Sequence, residues 1–293
     1  VISAIVDDYT GRTAEARRQT LIVTQTNADA MAINAGIHDR LHEAGKTGEL
    51  ELPVTVLVRE KTQTEALKSV TGLAQHNGGV VLINQQYYTI HSPDAANGVV
   101  MLRDAEGRGH LLSAFESSLR DIAVFSRREI RLSEGDLVRF TRQDREQGRD
   151  TQTLWEVTRI AGNGDITLKN GENTRLIQPG REMSDMHLDY GYAGTAHRAQ
   201  GASEAFVIAL AGVTGTRQRL ASLSDAYVAL SRMKQHVQVY TDDTGKWHAS
   251  VAASESRKTA HDVLDVQQDI HATTAQNLWD SARTLNQNAL GRA

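Results

Sequence analysis

Two blocks with an α/β rhythm, held apart by a long block with a β rhythm, constrain the fold of this chain more than any other feature. Residues 1–20 read as a helix and connector, with Ile2, Ile5 and Val6 apolar ahead of Asp7 and Asp8. The run from Leu21 to Val23 follows as a short buried strand. Asn27 to Glu43 is then an amphipathic helix with Met31, Ile33, Ile37 and Leu41 inward, stopped by Gly45. From Glu49 to about Met183 short β-rich runs take over, among them Val54 to Val58, Val80 to Ile83, Tyr87 to Ile90 and Val99 to Leu102. A second β stretch comprises Asp136 to Phe140, Leu154 to Thr158 and Asp165 to Leu168, with Asn163-Gly164 and Asn170-Gly171 as hairpin turns. The α/β pattern resumes at about residue 188, with strands at Ala205 to Leu210 and His236 to Tyr240. One α/β domain interrupted by a β-rich insertion of about 130 residues is the simplest account, and an insertion of that length should fold for itself. The expected division is 1–48 and 184–250 for the α/β domain, 49–183 for the insertion, and 251–293 for a helical tail or linker.

Two polar clusters sit at strand–helix seams of the second α/β block. The first is Gly194-Thr-Ala-His-Arg-Ala-Gln-Gly201. The second, Tyr227-Val-Ala-Leu-Ser-Arg232, ends a helix whose apolar positions Leu220, Leu223, Tyr227 and Leu230 fall at helical spacing. Ligand-binding groups in α/β folds concentrate at strand ends. Taken alone, Thr195 reads equally as a helix cap, His197 as a half-buried structural histidine, and Arg232 as an exposed arginine suited to a helix C-terminus.

Taken together, the clusters resemble motifs V and VI of superfamily 1 helicases. The segment from Leu21 to Asn34 is similar to the motif IV region of their RecD-like branch, and Gly135-Asp-Leu-Val-Arg-Phe140 resembles the start of the SH3-like barrel inserted in those helicases, expected at about 125–180. The wording is nearest to the conjugative relaxase/helicases of F-like plasmids. The resemblance implies a RecA-like helicase domain 2, interrupted by a β-rich insertion with an SH3-like barrel and followed by a helical tail. It assigns Thr195, His197 and Arg198 to single-stranded DNA, Gln200 and Gly201 to the nucleotide cleft, and Arg232 to the arginine that reaches the leaving phosphate. Arg198 stands where a lysine often follows the histidine, exchanging a point donor for a planar fork. Arg217 and Arg219 are candidates to extend a basic track.

The phosphate-cradling half of such a motor is not recognisable. Ala44-Gly-Lys-Thr47 has Arg40 where a P-loop needs its first glycine, and it sits at a helix end instead of a helix start. ATP and magnesium are therefore expected only if a further RecA-like domain completes the site, and no catalytic residue is assigned to this segment alone. Members of the family carry regions like this one as internal translocation signals, recognised by the coupling protein of a type IV secretion system. That implies a cytoplasmic origin in the donor cell and transfer to the recipient. The alternative is the C-terminal half of an active helicase motor, silent without its partner domain. The stretches Tyr190-Gly-Tyr-Ala-Gly194 and Asp242-Asp-Thr-Gly-Lys-Trp247, with the long tail, lean towards the vestigial copy, and Val1 leading straight into an element suggests an excised piece.

Composition narrows the physics. The absence of cysteine excludes a disulfide framework and thiolate metal sites, and the histidines show no metal-ligand spacing. No apolar run reaches transmembrane length, so no membrane insertion is expected. With a net charge of −4 over 293 residues, nucleic-acid binding needs a local basic patch. Residues 127–149 hold seven arginines among five acids, readable as a solvated surface or a strand-guiding face. Tyr87, Tyr88 and Trp155 are either core residues or stacking platforms for bases.

Overall fold

A computed structural model describes residues 1–94, 97–113, 122–196, 198–199, 203–221, 227–228 and 231–252. Helices α1 (Ile2–Gly11) and α2 (Ala14–Arg18) lead into β1 (Thr20–Thr24) and α3 (Asn27–Glu43). The chain then leaves for the insertion through β2 (Leu52–Arg59), the short helices α4 (Thr64–Leu67) and α5 (Val70–Ala74), and β3 (Val80–Ile83). Next come β4 (Gln86–Asp94), β5 (Val99–Arg103), β6 (Gly109–Ser113), β7 (Ala123–Leu132) and β8 (Leu137–Phe140). The insertion continues with β9 (Leu154–Ile160), β10 (Ile166–Asn170), β11 (Asn173–Ile177) and β12 (Leu188–Tyr190). The last described elements are β13 (Ala193–Thr195), β14 (Glu204–Leu210), β15 (Met233–Tyr240) and α6 (Thr244–Ala252). No described helix is long and apolar enough to cross a membrane.

Three sheets result. The two α/β blocks unite in a parallel sheet of order β13-β1-β14-β15. The insertion forms a six-stranded sheet, β2-β7-β3-β4-β5-β6, and a five-stranded antiparallel sheet, β11-β10-β9-β8-β12. Helix α3 has the ends read from sequence: Thr26 accepts from the Asp29 N–H as N-cap, and Gly45, at φ 63°, lets the Lys46 N–H return to the Leu41 carbonyl. The lysine Nζ donates to the Thr10 carbonyl at 2.7 Å, so Gly45-Lys46-Thr47 is a helix stop that clasps α1.

Several expectations change. Met31 is only half-buried, whereas Asn34 and His38, on the same helix, are buried. The strand from Leu188 to Tyr190 pairs with β8, so the chain returns to the parallel sheet at Ala193 and not at 188. Strand β7, which opens the span 125–180 expected for the SH3-like barrel, joins the six-stranded sheet instead, so the five-stranded sheet starts only at Leu137. Strand β7 pairs with β2 over eight positions, from Leu52 opposite Leu132 to Arg59 opposite Phe125. Its exposed positions carry Arg127, Glu129 and Arg131, which masks the alternation that buries Val124, Ile130 and Leu132. The insertion has a core of its own around Leu73, Val81, Ile90, Val100 and Val124. Its inner end is nevertheless continuous with the α/β core: Ile22, Ile33, Ile37 and Ile208 share one cluster with Val56, Leu132, Val138 and Phe140. Tyr227 is 70% exposed and does not face inward, and Leu220 ends a 3-10 helix, Gly215–Leu220. Leu223, Leu230 and the tail beyond 252 lie outside the described residues.

Candidate nucleic-acid interface

Strand β13 is the edge of the parallel sheet, and an edge strand presents unpaired backbone groups. Two side chains satisfy them. Asn34 of α3 accepts from the Ala193 N–H at 2.7 Å and donates to the Ala193 carbonyl at 3.2 Å. Arg139 of β8 donates to the same carbonyl at 2.5 Å. The first polar cluster therefore starts on a strand held from one side by the α/β domain and from the other by the insertion. Gly194 is required there, because a Cβ would stand 2.8 Å from Arg139 Nη1 and a guanidinium only 8% exposed has little room to retreat.

Beside this strand opens a cleft of about 1090 Å³ between α3 and the two inserted sheets. Asn27, Met31 and Asn34 line one wall, Arg59 and Lys61 the end of β2, and Arg142 and Arg145 the loop after β8. Seven arginine or lysine side chains line it against four acids, in a chain whose net charge is −4. Tyr87 and Phe125 add an aromatic patch with His187. Burial, reinforced by Arg142 and Arg149, pushes the His187 imidazole down to about 3, so it is neutral near pH 7. Arg142 donates to the Tyr87 hydroxyl oxygen at 3.2 Å, leaving the hydroxyl proton for His187 Nε2 at 2.9 Å.

The sequence candidates distribute as follows. Thr195 ends β13, half-buried, and pairs in register with Thr24. Its carbonyl accepts from the Ala199 N–H, which opens the turn expected after the strand. Arg198 lines the cleft with Arg139 and Arg128. His197, Gln200 and Gly201 lie outside the described residues. Arg232 immediately precedes β15, its Nε donating to the Val228 carbonyl at 3.3 Å and its own carbonyl accepting from the Glu204 N–H at the start of β14. Thr195 and Arg232 thus occupy opposite edges of the parallel sheet, carboxyl for the first and amino for the second.

Arg217 does not extend a basic track. Its Nε and Nη2 both engage Asp29, at 3.1 and 2.5 Å, with Asp242 beyond at 3.7 Å. Burial opposes ionisation of Asp29, but the Arg217 and Thr26 hydrogen bonds outweigh it and hold the carboxyl below its usual range. Arg219 is exposed. Trp155 is buried in the core, Tyr88 bonds Gln86, and of the three aromatics only Tyr87 reaches the cleft.

Residues not singled out from sequence complete the junction. His38, 1% exposed, places Nδ1 2.9 Å from Asp136 and Nε2 3.1 Å from Glu51. Asp136 also accepts from the Tyr192 hydroxyl at 2.6 Å and the Ser133 N–H at 2.7 Å. With both ring nitrogens facing carboxylates, His38 is held as an imidazolium. Burial opposes this, but Asp136 and then Glu51 outweigh it and raise the pKa. The signal available in sequence was a polar residue on an apolar helix face, at His38 and again at Asn34.

A parallel α/β sheet with an inserted antiparallel region, opening a basic cleft where they meet, defines the class of this molecule. No protein-family profile matches the chain. Over 290 residues, 99% of its length, it is 42% identical to the multifunctional conjugation protein TraI of Escherichia coli, and equally so to that of strain K12. It is a TraI-like segment, spanning 16% of the length of those relatives. Among solved structures, Pif1 helicase at forked double-stranded DNA aligns with 93% of this chain and 52% of its own, at 13% identity and a TM-score of 0.41. Pif1 helicase from Candida albicans aligns with 92% and 57%, at 11% and 0.39.

Proposed function

We propose that this chain is a second RecA-like domain with its inserted β region, the five-stranded sheet being the SH3-like part, from a RecD-like module of a conjugative relaxase/helicase. It holds single-stranded DNA and serves as an internal translocation signal read by the coupling protein of a type IV secretion system. The observation that carries the strand-holding role is the basic cleft. An acidic chain gathers seven cations, Arg198 among them, around one cleft, an arrangement suited to positioning phosphates without reading sequence. Sequence similarity to a conjugation protein along the whole chain supports the conjugative setting.

In this reading Thr195, His197 and Arg198 contact the strand, while Gln200, Gly201 and Arg232 serve a nucleotide cleft. That cleft would need ATP, magnesium and a further RecA-like domain to act. The insertion is the surface offered to the coupling protein, since it is the part unlike a general motor. The test is a transfer assay in which the chain is fused to a reporter recombinase in a donor cell. Recombination in recipients that disappears without the coupling protein is expected. No transfer of a folded fusion overturns the signal. ATPase activity on adding back a first RecA-like domain, abolished by Arg232→Ala, would instead make this half of an active motor.

A further inference from the structure

Arg139 is a cation withdrawn from water with no carboxylate hydrogen-bonded to it among the described residues. Only 8% exposed, it makes one hydrogen bond, to the neutral Ala193 carbonyl, and its Nε has no partner among the described residues. Asp189 acts on it at longer range, but that carboxylate is bonded to Arg128 at 2.7 Å and to the Tyr190 N–H at 2.9 Å. A second cation, Arg198, lies close enough to disfavour its charge, and Arg128 Nε is also buried with no partner among the described residues. Burial, then Arg198, lowers Arg139 to about 10, so it remains charged near pH 7. A buried, unpaired charge beside a like charge is unfavourable unless something anionic enters. All three guanidinium groups line the same cleft.

We propose that Arg139 and Arg198 seat one phosphodiester group of a nucleic-acid strand on the cleft floor, where the inserted sheet meets β13. This rests on the strand-holding reading above and adds to it a contact supplied by the insertion. Because Arg139 also holds the Ala193 carbonyl, the seated phosphate ties the strand to the joint between the insertion and the α/β domain.

The test uses the full chain and a labelled oligothymidine, with affinity followed by fluorescence anisotropy across a salt series. Arg139→Gln keeps a donor for Ala193 but removes the charge. It is expected to weaken binding about tenfold, to lower the salt slope by about 0.7, and to leave the melting temperature unchanged or higher. Arg139→Lys should restore the slope but only part of the affinity. A scan of singly placed neutral methylphosphonate linkages leaves the protein untouched. One linkage should weaken binding by the wild type and not by Arg139→Gln. If the wild type binds with salt dependence but the scan shows no such linkage, or Arg139→Gln binds as wild type, the seat is wrong and the strand-holding reading survives. If the wild type binds no strand, both fall. If inorganic phosphate or pyrophosphate stabilises the wild type but not Arg139→Gln while oligothymidine does neither, the seat takes a free phosphate and the proposal is overturned.

Discussion

The carboxyl edge of the parallel sheet and the cleft beside β13 each hold a withdrawn arginine, and their surroundings treat the two in opposite ways. Arg217 meets Asp29 through two nitrogens and has Asp242 behind it. Arg139 meets one carbonyl and a second cation. The first arrangement is saturated and serves to hold the α3 cap against the 3-10 helix Gly215–Leu220. The second is unsaturated and open to a cleft. The two carry the same charge; what separates them is the completeness of their pairing. The His38–Asp136–Glu51 junction belongs with the saturated class, although it lies next to the insertion.

The largest effect is expected where saturation is deepest. Asp136→Asn leaves the His38 imidazolium with one partner and should lower stability by about 3 kcal/mol in urea unfolding. A loss below about 1 kcal/mol would show that the junction is not a charged pair. Asp29→Asn should come next, at about 2 kcal/mol, because Arg217 then keeps only the more distant Asp242. By contrast, Arg139→Met should stay within about 0.5 kcal/mol of the wild type, since it removes an unpaired buried charge together with one hydrogen bond. A large loss there would abolish the distinction between the two arginines.

A graded effect follows from pH. The folded-state pKa of His38 is raised above its ordinary 6.5. Its contribution is therefore complete below about 6.5 and is lost as pH rises through the folded value, by about 1.4 kcal/mol for each unit of the rise. Asp29 works the other way: its pKa is lowered from 3.8, so its contribution is present above that value and lost as pH falls through the folded one. Unfolding midpoints of the wild type and Asp136→Asn across this range should converge at the alkaline end. The smallest effect is expected at the rim, where exposed Arg145→Ala should change stability by less than about 0.5 kcal/mol while reducing the salt dependence of strand binding.

Much of the architecture was legible because its causes are local. The ends of α3 depend on Thr26 and Gly45, and the β10–β11 hairpin turns through Gly171-Glu172, one residue beyond the expected Asn170-Gly171 pair, with Gly171 at φ 54°. The β3–β4 hairpin was harder to read, since its two-residue turn uses Asn84 and Gln85 at positive φ, a conformation asparagine tolerates and glutamine rarely adopts. Of the candidate site, Arg198 lines the cleft and Thr195 ends the strand beside it, whereas Arg217, chosen for its charge, is already paired. Arg139 stood within the quoted barrel-like motif, yet nothing near it in sequence marks it as buried beside Ala193, 54 residues away.

The amino-acid order alone thus determined the alternation of helix and strand, the interruption of one sheet by another region, and the two clusters at its seams. These follow from periodicity, capping and turn chemistry acting over a few neighbouring residues. Only the tertiary structure decided which charges are answered. His38 finds Asp136 across 98 residues, Arg217 finds Asp29 across 188, and Arg139 hydrogen-bonds no carboxylate among the described residues. Pairing at such separations depends on how the sheets dock, and no local pattern encodes that.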